Sequence, residues 1–507
     1  MNSRGKGIVL SYGYLIINML CGVFLSSYLI SELGDTEYGI YQTISSFANY
    51  LVMLEFGTGT IMTRNISMCR GSGESKLKIN ENISTIWTVT NILAAVIALV
   101  SVVMYFSIEF IYADSFTSAN IQNAKYIFIF IAINLLISFY AQSFTGLTLA
   151  FEKYSYGPVL KTAKIVARTL LLGVLIIKFK YSIVIAIVDT LISIVSLIVS
   201  WRYCKKNFDI SIRVKYFNPT IFKKILPFAI ALFLQTIITQ ANNSVDKFLI
   251  GIFISPEAVA QYSIALFVFS IFSSICTVPT NMYAPQIAKE LKAGIPMSVL
   301  SAKMASGSKL TALIGGSVLF GFAACGRPFI TLLYGENYIE YGVWTIAIIL
   351  MMPSLLVNLL GVAINVLDVL EKRMVYSVAL CITTIMNVIL TVIGIQIVGS
   401  LGAACATCFS LLVFQFPIMC FYYKKVIKID IGYMLKESLL RIFPCQIIGA
   451  ITGYMVSEVI PYDRSFSALI ALILSGVTYM VVFFALLLFV DKTFRTRLKN
   501  IISKYKK

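Results

Sequence analysis

Fourteen long stretches of this chain are almost wholly apolar, and short polar segments separate them. An apolar run of roughly 17–25 residues is long enough, as a helix, to cross the hydrocarbon core of a bilayer. The fourteen runs are residues 8–30, 40–62, 84–108, 125–150, 158–177, 181–200, 226–253, 259–283, 309–333, 341–366, 374–397, 401–422, 440–460 and 466–489. We therefore predict an all-α polytopic membrane protein with about 14 transmembrane helices.

Composition supports a membrane protein and excludes a string of soluble domains. Of the 507 residues, 59% are hydrophobic and only 13% are charged, whereas soluble domains have about 45–50% and 25%. The mean hydropathy is +0.87, so most of the chain has lipid as its solvent. Histidine is absent, which removes the commonest general base and pH switch.

The distribution of positive charge predicts the orientation. The net charge is +18, but the basic residues are scattered through short loops and form no single solvated face, so we predict no nucleic-acid partner. With the N-terminus in the cytoplasm, the cytoplasmic segments hold all of the 41 basic residues but six, which are Lys125, Lys178, Lys180, Lys247, Arg327 and Arg464. By the positive-inside rule, both termini are predicted to be cytoplasmic.

Three pairs of loop landmarks indicate an internal duplication. Similar segments recur after corresponding apolar runs, 221, 222 and 219 residues apart. They end at Tyr41 and Tyr262, at Tyr112 and Tyr334, and at Lys153 and Lys372. Because each repeat holds six spans, both repeats enter the membrane from the same side, as in transporters built of two parallel halves. We predict a six-helix lobe (1–205), a basic cytoplasmic linker (206–225), a second six-helix lobe (226–430), and two extra helices with a basic tail (431–507).

Three cations share one face of the fifth run. Lys161, Lys164 and Arg168 are three and four residues apart, a spacing that places them together on a helix. Arg168 lies about 15 Å beyond Pro158 along the helix axis, close to the middle of the membrane, where a charge costs about 2.5–3.5 kcal/mol. A cavity that binds an anion explains this arrangement. The alternative for the two lysines is that they extend to the headgroups.

The seventh run is unusually polar for a membrane span. Its candidate lining residues are Gln235, Gln240, Asn242 and Asn243, and they are followed by Asp246 and Lys247. Such a helix is expected to line a water-filled path, and the alternative is that these side chains join helices together. Asp246 and Lys247 are adjacent, so we expect them to pair with other helices.

The remaining charges in or near the spans have two readings each. Glu55, Asp189 and Asp246 are candidates for proton coupling, or counter-ions for cations such as Arg168 and Arg64. Arg327, at the outer end of the ninth run, either contacts an anion on the exit side or anchors the helix in the headgroups.

No sequence feature indicates an enzyme. The chain has no phosphate loop, no metal-ligand cluster and no segment outside the apolar runs longer than about 25 residues. We therefore predict a non-enzyme with no metal and no cofactor.

Two groups of motifs resemble a known family. The first is Leu33-Gly34-x-x-x-Tyr38-Gly39-x-Tyr41, followed by Glu55-Phe56-Gly57-Thr58-Gly59 and Arg64; the second is Asp246-Lys247 with Tyr262 and Pro285. Together they resemble polysaccharide-biosynthesis flippases of the Wzx type, in the multidrug/oligosaccharidyl-lipid/polysaccharide exporter superfamily. The resemblance covers about residues 1–430, and two extra spans are tolerated in that superfamily.

The resemblance implies a function and a substrate. Members of the family move undecaprenyl-pyrophosphate-linked oligosaccharide units from the inner to the outer leaflet for O-antigen (lipopolysaccharide) or capsule assembly, by alternating access through a cationic cavity. Partner proteins in such systems are the polysaccharide polymerase and the chain-length machinery. The pyrophosphate would be held by Arg168, Lys164, Lys161, Lys247, Arg64 and Arg327, and the glycan by the polar residues of the seventh run. Coupling to a proton or sodium gradient is plausible in this family.

Three alternatives stay open at this point. A multidrug or other small-molecule exporter of the same superfamily would be expected to have an acidic, aromatic cavity. A lipid II flippase differs only in its glycan. A glycan polymerase or ligase would need a long outer loop carrying arginines, and the longest outer loop, 109–124, has none.

Overall fold

The protein is wholly helical over the part of the chain that the structure describes. In this computed structural model, the described residues are 3–208, 210, 216–370, 372–461, 463–464, 466–491 and 495, and they contain no β-strand. Residue 209 and residues 211–215 of the predicted linker lie outside them.

The chain forms two compact units, residues 1–260 and 261–507. The helices that begin in the first unit are α1 (Ser3–Ala48), a 3₁₀ helix (Asn49–Glu55), α2 (Thr58–Gly71), α3 (Lys76–Ile111), α4 (Ser118–Ala150), α5 (Tyr156–Lys178), α6 (Ile183–Asn207), α7 (Pro219–Phe253) and α8 (Pro256–Lys292), which continues into the second unit.

The second unit continues with helices of very different lengths, from 4 to 38 residues. They are α9 (Met297–Tyr334), α10 (Asn337–Glu340), α11 (Val343–Leu359), α12 (Gly361–Val369), α13 (Arg373–Val398), α14 (Ser400–Ser410), α15 (Phe416–Tyr422), α16 (Ile431–Leu439), α17 (Phe443–Val459) and α18 (Phe466–Val490). Two π-helical turns, Leu411–Gln415 and Tyr423–Ile427, follow α14 and α15.

The predicted all-helical, multi-pass membrane fold is confirmed. All fourteen predicted runs fall on helices, and eleven helical stretches of the described residues are long and apolar enough to cross a membrane. The structure has fewer such helical stretches than the fourteen predicted spans for three reasons. The first two runs merge into the single stretch Val9–Gly71, α5 carries charges, and the tenth run is divided between α11 and α12.

Glycine separates the first two runs within α1. Gly34 has φ of +78° and ψ of 167°, a conformation that costs glycine little and other residues much. The helical path therefore changes direction at Gly34, after the first run and before the second.

Helix α7 packs on the first unit along its whole length. Phe248 stacks on Phe47 of α1, with ring centroids 5.8 Å apart and planes at 7°. Ser46 Oγ donates to the backbone oxygen of Ser244 over 2.9 Å. The boundary between the two compact units therefore lies after α7. The repeat pattern instead predicts a lobe boundary within α7, at residue 226, and that boundary stays a prediction.

The C-terminal hairpin packs on α9 within the second unit. Gln446 of α17 donates to the backbone oxygen of Ala312 over 3.1 Å, and Lys309 of α9 forms an ion pair with the buried carboxylate of Asp491. These contacts fix the open end of the hairpin, where α17 begins and α18 ends, to α9.

Helices α2 and α4 cross where both carry glycine. A Cβ atom built on Gly146 would collide with the backbone oxygen of Gly59 and lie 3.1 Å from Met62 Cβ. Thr63 Oγ1 donates to the Gly146 oxygen over 3.1 Å. Small residues of this kind let membrane helices approach closely.

We predict that Gly146→Ala destabilises the protein, because a methyl group at this crossing forces the two backbones apart at a cost of about 1–3 kcal/mol. The midpoint of thermal unfolding in detergent should fall by several degrees. Gly173→Ala on α5 is the matched control, since its added methyl group meets nothing within 4 Å. Equal midpoints for the two variants would contradict the close crossing.

Candidate functional site

A polar cavity of about 280 Å³ lies within the first unit. Four helices contribute its walls, and all of the predicted cations of the fifth run face it. The lining residues are Tyr14 and Asn18 of α1, Asn134 and Ser138 of α4, Lys161, Lys164, Ile165 and Arg168 of α5, and Asp189, Ile192 and Ser193 of α6.

Helix α5 brings its three cations to the cavity because their spacing follows the helical repeat. Lys161, Lys164 and Arg168 occupy one face, while apolar residues such as Leu170 and Val174 are exposed at the surface. Arg168 is the thirteenth of the 23 residues of α5, so it lies near the middle of that helix.

Arg168 forms a two-pronged ion pair with Asp189 of α6. Its Nε donates to Oδ1 over 2.6 Å and its Nη2 donates to Oδ2 over 3.1 Å. The two side chains are 27% and 19% exposed, so both charges are largely removed from solvent. The Tyr41 hydroxyl donates to Asp189 Oδ2 over 3.2 Å. Asp189 is thus the counter-ion of Arg168, one of the two roles that the sequence left open.

The two lysines of the cavity have no carboxylate partner among the described residues. Lys164 Nζ donates to Ser193 Oγ over 3.4 Å, and Lys161 Nζ lies 5.9 Å from the ring centroid of Tyr14. The lining therefore contains three cations and one carboxylate, which leaves two positive charges in a partly desolvated space. Such a site favours a ligand with about two negative charges.

The sequence did not predict that side chains of α1 and α4 line this cavity. Asn18 and Asn134 are isolated amides in apolar runs, and this polarity was the signal that could have found them. Ser193, which accepts from Lys164, had no comparable signal, since serine is common in membrane helices.

Three other predicted anion ligands lie elsewhere. The Arg64 guanidinium lies 4.2 Å from the ring centroid of Phe228 on α7. Lys247 is half-buried, with Nζ 3.4 Å from Gln42 Oε1. Neither side chain lines the cavity around Arg168.

Arg327 is enclosed by side chains of the second unit. Its Nη1 donates to Glu458 over 2.7 Å, and its guanidinium lies 4.9 Å and 5.3 Å from the rings of Trp344 and Tyr454. This arrangement ties α9 to α11 and α17.

The second predicted span is broken at Glu55. A 3₁₀ helix ends there, and Phe56 and Gly57 both have left-handed backbone conformations before α2 begins. The Glu55 carboxylate is buried and accepts a hydrogen bond of 2.8 Å from Gln142 of α4. A 3₁₀ segment of seven residues within a span is unusual and marks a candidate hinge.

The polar residues of α7 divide between two environments. Gln235 and Asn242 are exposed on one face, whereas Gln240 donates to Ser244 over 2.7 Å within its own helix. Asp246 is buried. The side chain of Asn243 lies outside the described residues.

The fold is that of membrane transporters. Over 94% of this chain and 98% of the other, it matches a lipid II flippase, MurJ, in an inward closed conformation, with a TM-score of 0.71 and 14% identity. It matches a multidrug resistance MATE family transporter of the MOP superfamily with a TM-score of 0.61 and 13% identity, over 82% and 95% of the two chains. A MOP superfamily transporter from Pyrococcus furiosus matches with a TM-score of 0.55 and 13% identity, over 85% and 97%.

The sequence assigns the family. Residues 4–289, more than half of the chain, match the family model described as polysaccharide biosynthesis protein, and the chain therefore belongs to that family. The resemblance to polysaccharide-biosynthesis flippases of the exporter superfamily is confirmed. No curated protein sequence matches the chain.

We predict that the contributions of Arg168 and Asp189 to the stability of the protein are coupled. Arg168→Gln leaves a largely desolvated carboxylate without its partner, at a cost of about 1–3 kcal/mol. Adding Asp189→Asn removes that unpaired charge, so the double variant should be more stable than Arg168→Gln alone. Thermal unfolding of both single variants and the double variant in detergent measures the coupling, and strictly additive effects would contradict the pairing.

Proposed function

We propose that this protein is a flippase that moves undecaprenyl-pyrophosphate-linked oligosaccharide units of the O-antigen or capsule type from the cytoplasmic to the outer leaflet. The observation that carries the proposal is the cavity of the first unit, with two positive charges in excess. A pyrophosphate diester carries two negative charges, so the charges of ligand and cavity match. The family assignment supports the same conclusion.

Lys161 and Lys164 are the principal pyrophosphate ligands in this proposal. Their ammonium groups lack a carboxylate partner among the described residues, and each has three donors. Arg168 contributes through Nη1, for which no hydrogen bond to a described residue is observed. Lys247, Arg64 and Arg327 are proposed to contact the anion at other stages of transport.

Asp189 gives the site a means of release. Its carboxylate and the pyrophosphate share one guanidinium, so a ligand on Nη1 of Arg168 weakens the pair between α5 and α6. Asp189 is also proposed to couple transport to a proton gradient, because the chain has no histidine to do so. Glu55 and Asp246 are proposed as further coupling sites, for a proton or for sodium.

The glycan is proposed to contact α7. Gln235 and Asn242 expose amides on one helix face, and amides donate and accept hydrogen bonds as sugar hydroxyls require. Gln240 and Asn243 complete this proposed polar lining. The lipid tail stays in the bilayer during transport.

The cellular setting follows from the same proposal. The protein lies in the bacterial inner membrane with both termini in the cytoplasm, and it delivers its product to a polysaccharide polymerase and the chain-length machinery. The distribution of basic residues supports this orientation.

We predict that neutralising the two lysines strongly reduces transport without unfolding the protein. Lys161→Gln/Lys164→Gln removes the excess charge and should reduce flipping at least tenfold, about the loss of one charge-assisted contact. The assay labels undecaprenyl-pyrophosphate oligosaccharide and follows its sidedness in inner-membrane vesicles from a deletion strain with a known glycan, complemented with wild type or variant. Lys205→Gln/Lys206→Gln, at the exposed end of α6, is the matched control.

We expect the labelled lipid-linked oligosaccharide to accumulate on the cytoplasmic face in the deletion strain. Wild type should relieve this accumulation, and the double variant should not. Unchanged sidedness on deletion, with normal surface glycan, would contradict the flippase and favour a small-molecule exporter. Full activity of the lysine variant, at equal amounts in the membrane, would instead contradict the cavity assignment.

A further inference from the structure

A second cavity of the first unit is entirely apolar. It has a volume of about 270 Å³, and every accessible surface atom of its wall is apolar. Three helices and the break in the second span form it. The lining residues are Phe56, Thr58 and Ile61 at the start of α2, Ile86, Val89, Ile92 and Leu93 of α3, and Phe222, Ile225, Leu226 and Ala229 of α7. We call this cavity the α2–α3–α7 groove.

The groove is closed at both ends and open along its side. At the linker end, the backbone N–H of Asn218 donates to Thr85 Oγ1 over 3.0 Å. At the deep end, Phe56 stacks on Phe233, with ring centroids 4.2 Å apart and planes at 4°. Two lining residues, Ile92 and Leu226, are 58% and 39% exposed. The open side of the groove therefore faces the bilayer.

Cations lie at the linker end of the groove. Arg64 follows Ile61 by one turn of α2, is exposed, and has its guanidinium 4.2 Å from the Phe228 ring. Lys224 is exposed and lies four residues before Phe228 on the same face of α7. No carboxylate of the described residues pairs with either cation. Both cations are close to lining residues of the groove, since Lys224 precedes Ile225 and Arg64 follows Ile61 by one turn.

We infer that the α2–α3–α7 groove binds an anionic glycerophospholipid, with its phosphate on Arg64 and Lys224 and one acyl chain between α7 and the α2–α3 pair. Clusters of basic residues at the end of membrane helices attract anionic lipid, and an apolar groove open to the bilayer is filled by the most abundant lipid. The site is separate from the cavity of Arg168, because the two cavities have no lining residue in common. The bound lipid joins α7 to the rest of the first unit.

Native mass spectrometry of the full-length protein in detergent tests this inference. The probes are dioleoyl phosphatidylglycerol, dioleoyl phosphatidylcholine with the same chains, and undecaprenyl monophosphate. Wild type should retain phosphatidylglycerol about tenfold better than phosphatidylcholine, because both carry a phosphate but Arg64 and Lys224 repel the choline cation of the second lipid. Arg64→Gln/Lys224→Gln should remove that selectivity, whereas Lys205→Gln/Lys206→Gln should keep it.

A second variant tests the apolar groove independently of Arg64 and Lys224. Ala229→Phe fills the cavity and should reduce retention of phosphatidylglycerol by a similar factor. If it fails to fold, the charge variant, altered only at exposed positions, decides alone. Equal retention of the two phospholipids by wild type would overturn the inference, as would unchanged selectivity in Arg64→Gln/Lys224→Gln. Displacement of phosphatidylglycerol by equimolar undecaprenyl monophosphate would also overturn it, because the occupant would then be the carrier lipid.

Discussion

The cost of burying charge in an apolar solvent governs the arrangement of this protein. An ion inside the membrane persists only where a partner or a polar space compensates it. Arg168 meets this requirement at the middle of α5 through Asp189, which Tyr41 in turn holds. Lys161 and Lys164 meet it differently, since they face the polar lining of the cavity and form no direct ion pair among the described residues. The excess charge is therefore a property of the cavity as a whole.

The lipid environment also constrains the backbone. Irregular backbone at membrane depth needs protein around it, because lipid offers no hydrogen bonds. At the break after Glu55, α7 supplies that cover: Phe233 stacks on Phe56, and a Cβ atom on Gly57 would lie 2.8 Å from Leu232. The second predicted repeat has no such break, since α8 continues through Cys276, the residue 221 positions after Glu55. The two predicted repeats thus differ where the first has an interrupted helix and a buried carboxylate.

The sequence was sufficient for the helices and for half of the site. Apolar runs predicted the helical spans because lipid imposes length and hydrophobicity on every span, and spacing predicted the shared face of Lys161, Lys164 and Arg168. Asp189 was one of several candidate counter-ions of Arg168, and the sequence could not choose among them because pairing between helices leaves no pattern within either one. The same holds for Asn18 and Asn134, and for Arg327, whose aromatic neighbours come from two other helices. Contacts between distant segments depend on packing, which a single sequence does not reveal.

Helix α4 and helix α7 connect the two cavities of the first unit. α4 carries Asn134 and Ser138 into the cationic cavity, and its Gln142 holds Glu55 at the break that α7 covers. Two turns of one helix therefore separate the polar walls of the anion site from the hinge of the second span. A displacement of α4 caused by loosening of the Arg168–Asp189 pair would reach Glu55 through Gln142, and α7 rests on that break. In the flippase proposed here, this path links occupancy of the anion site to the packing of α7, the helix that also forms one wall of the lipid groove.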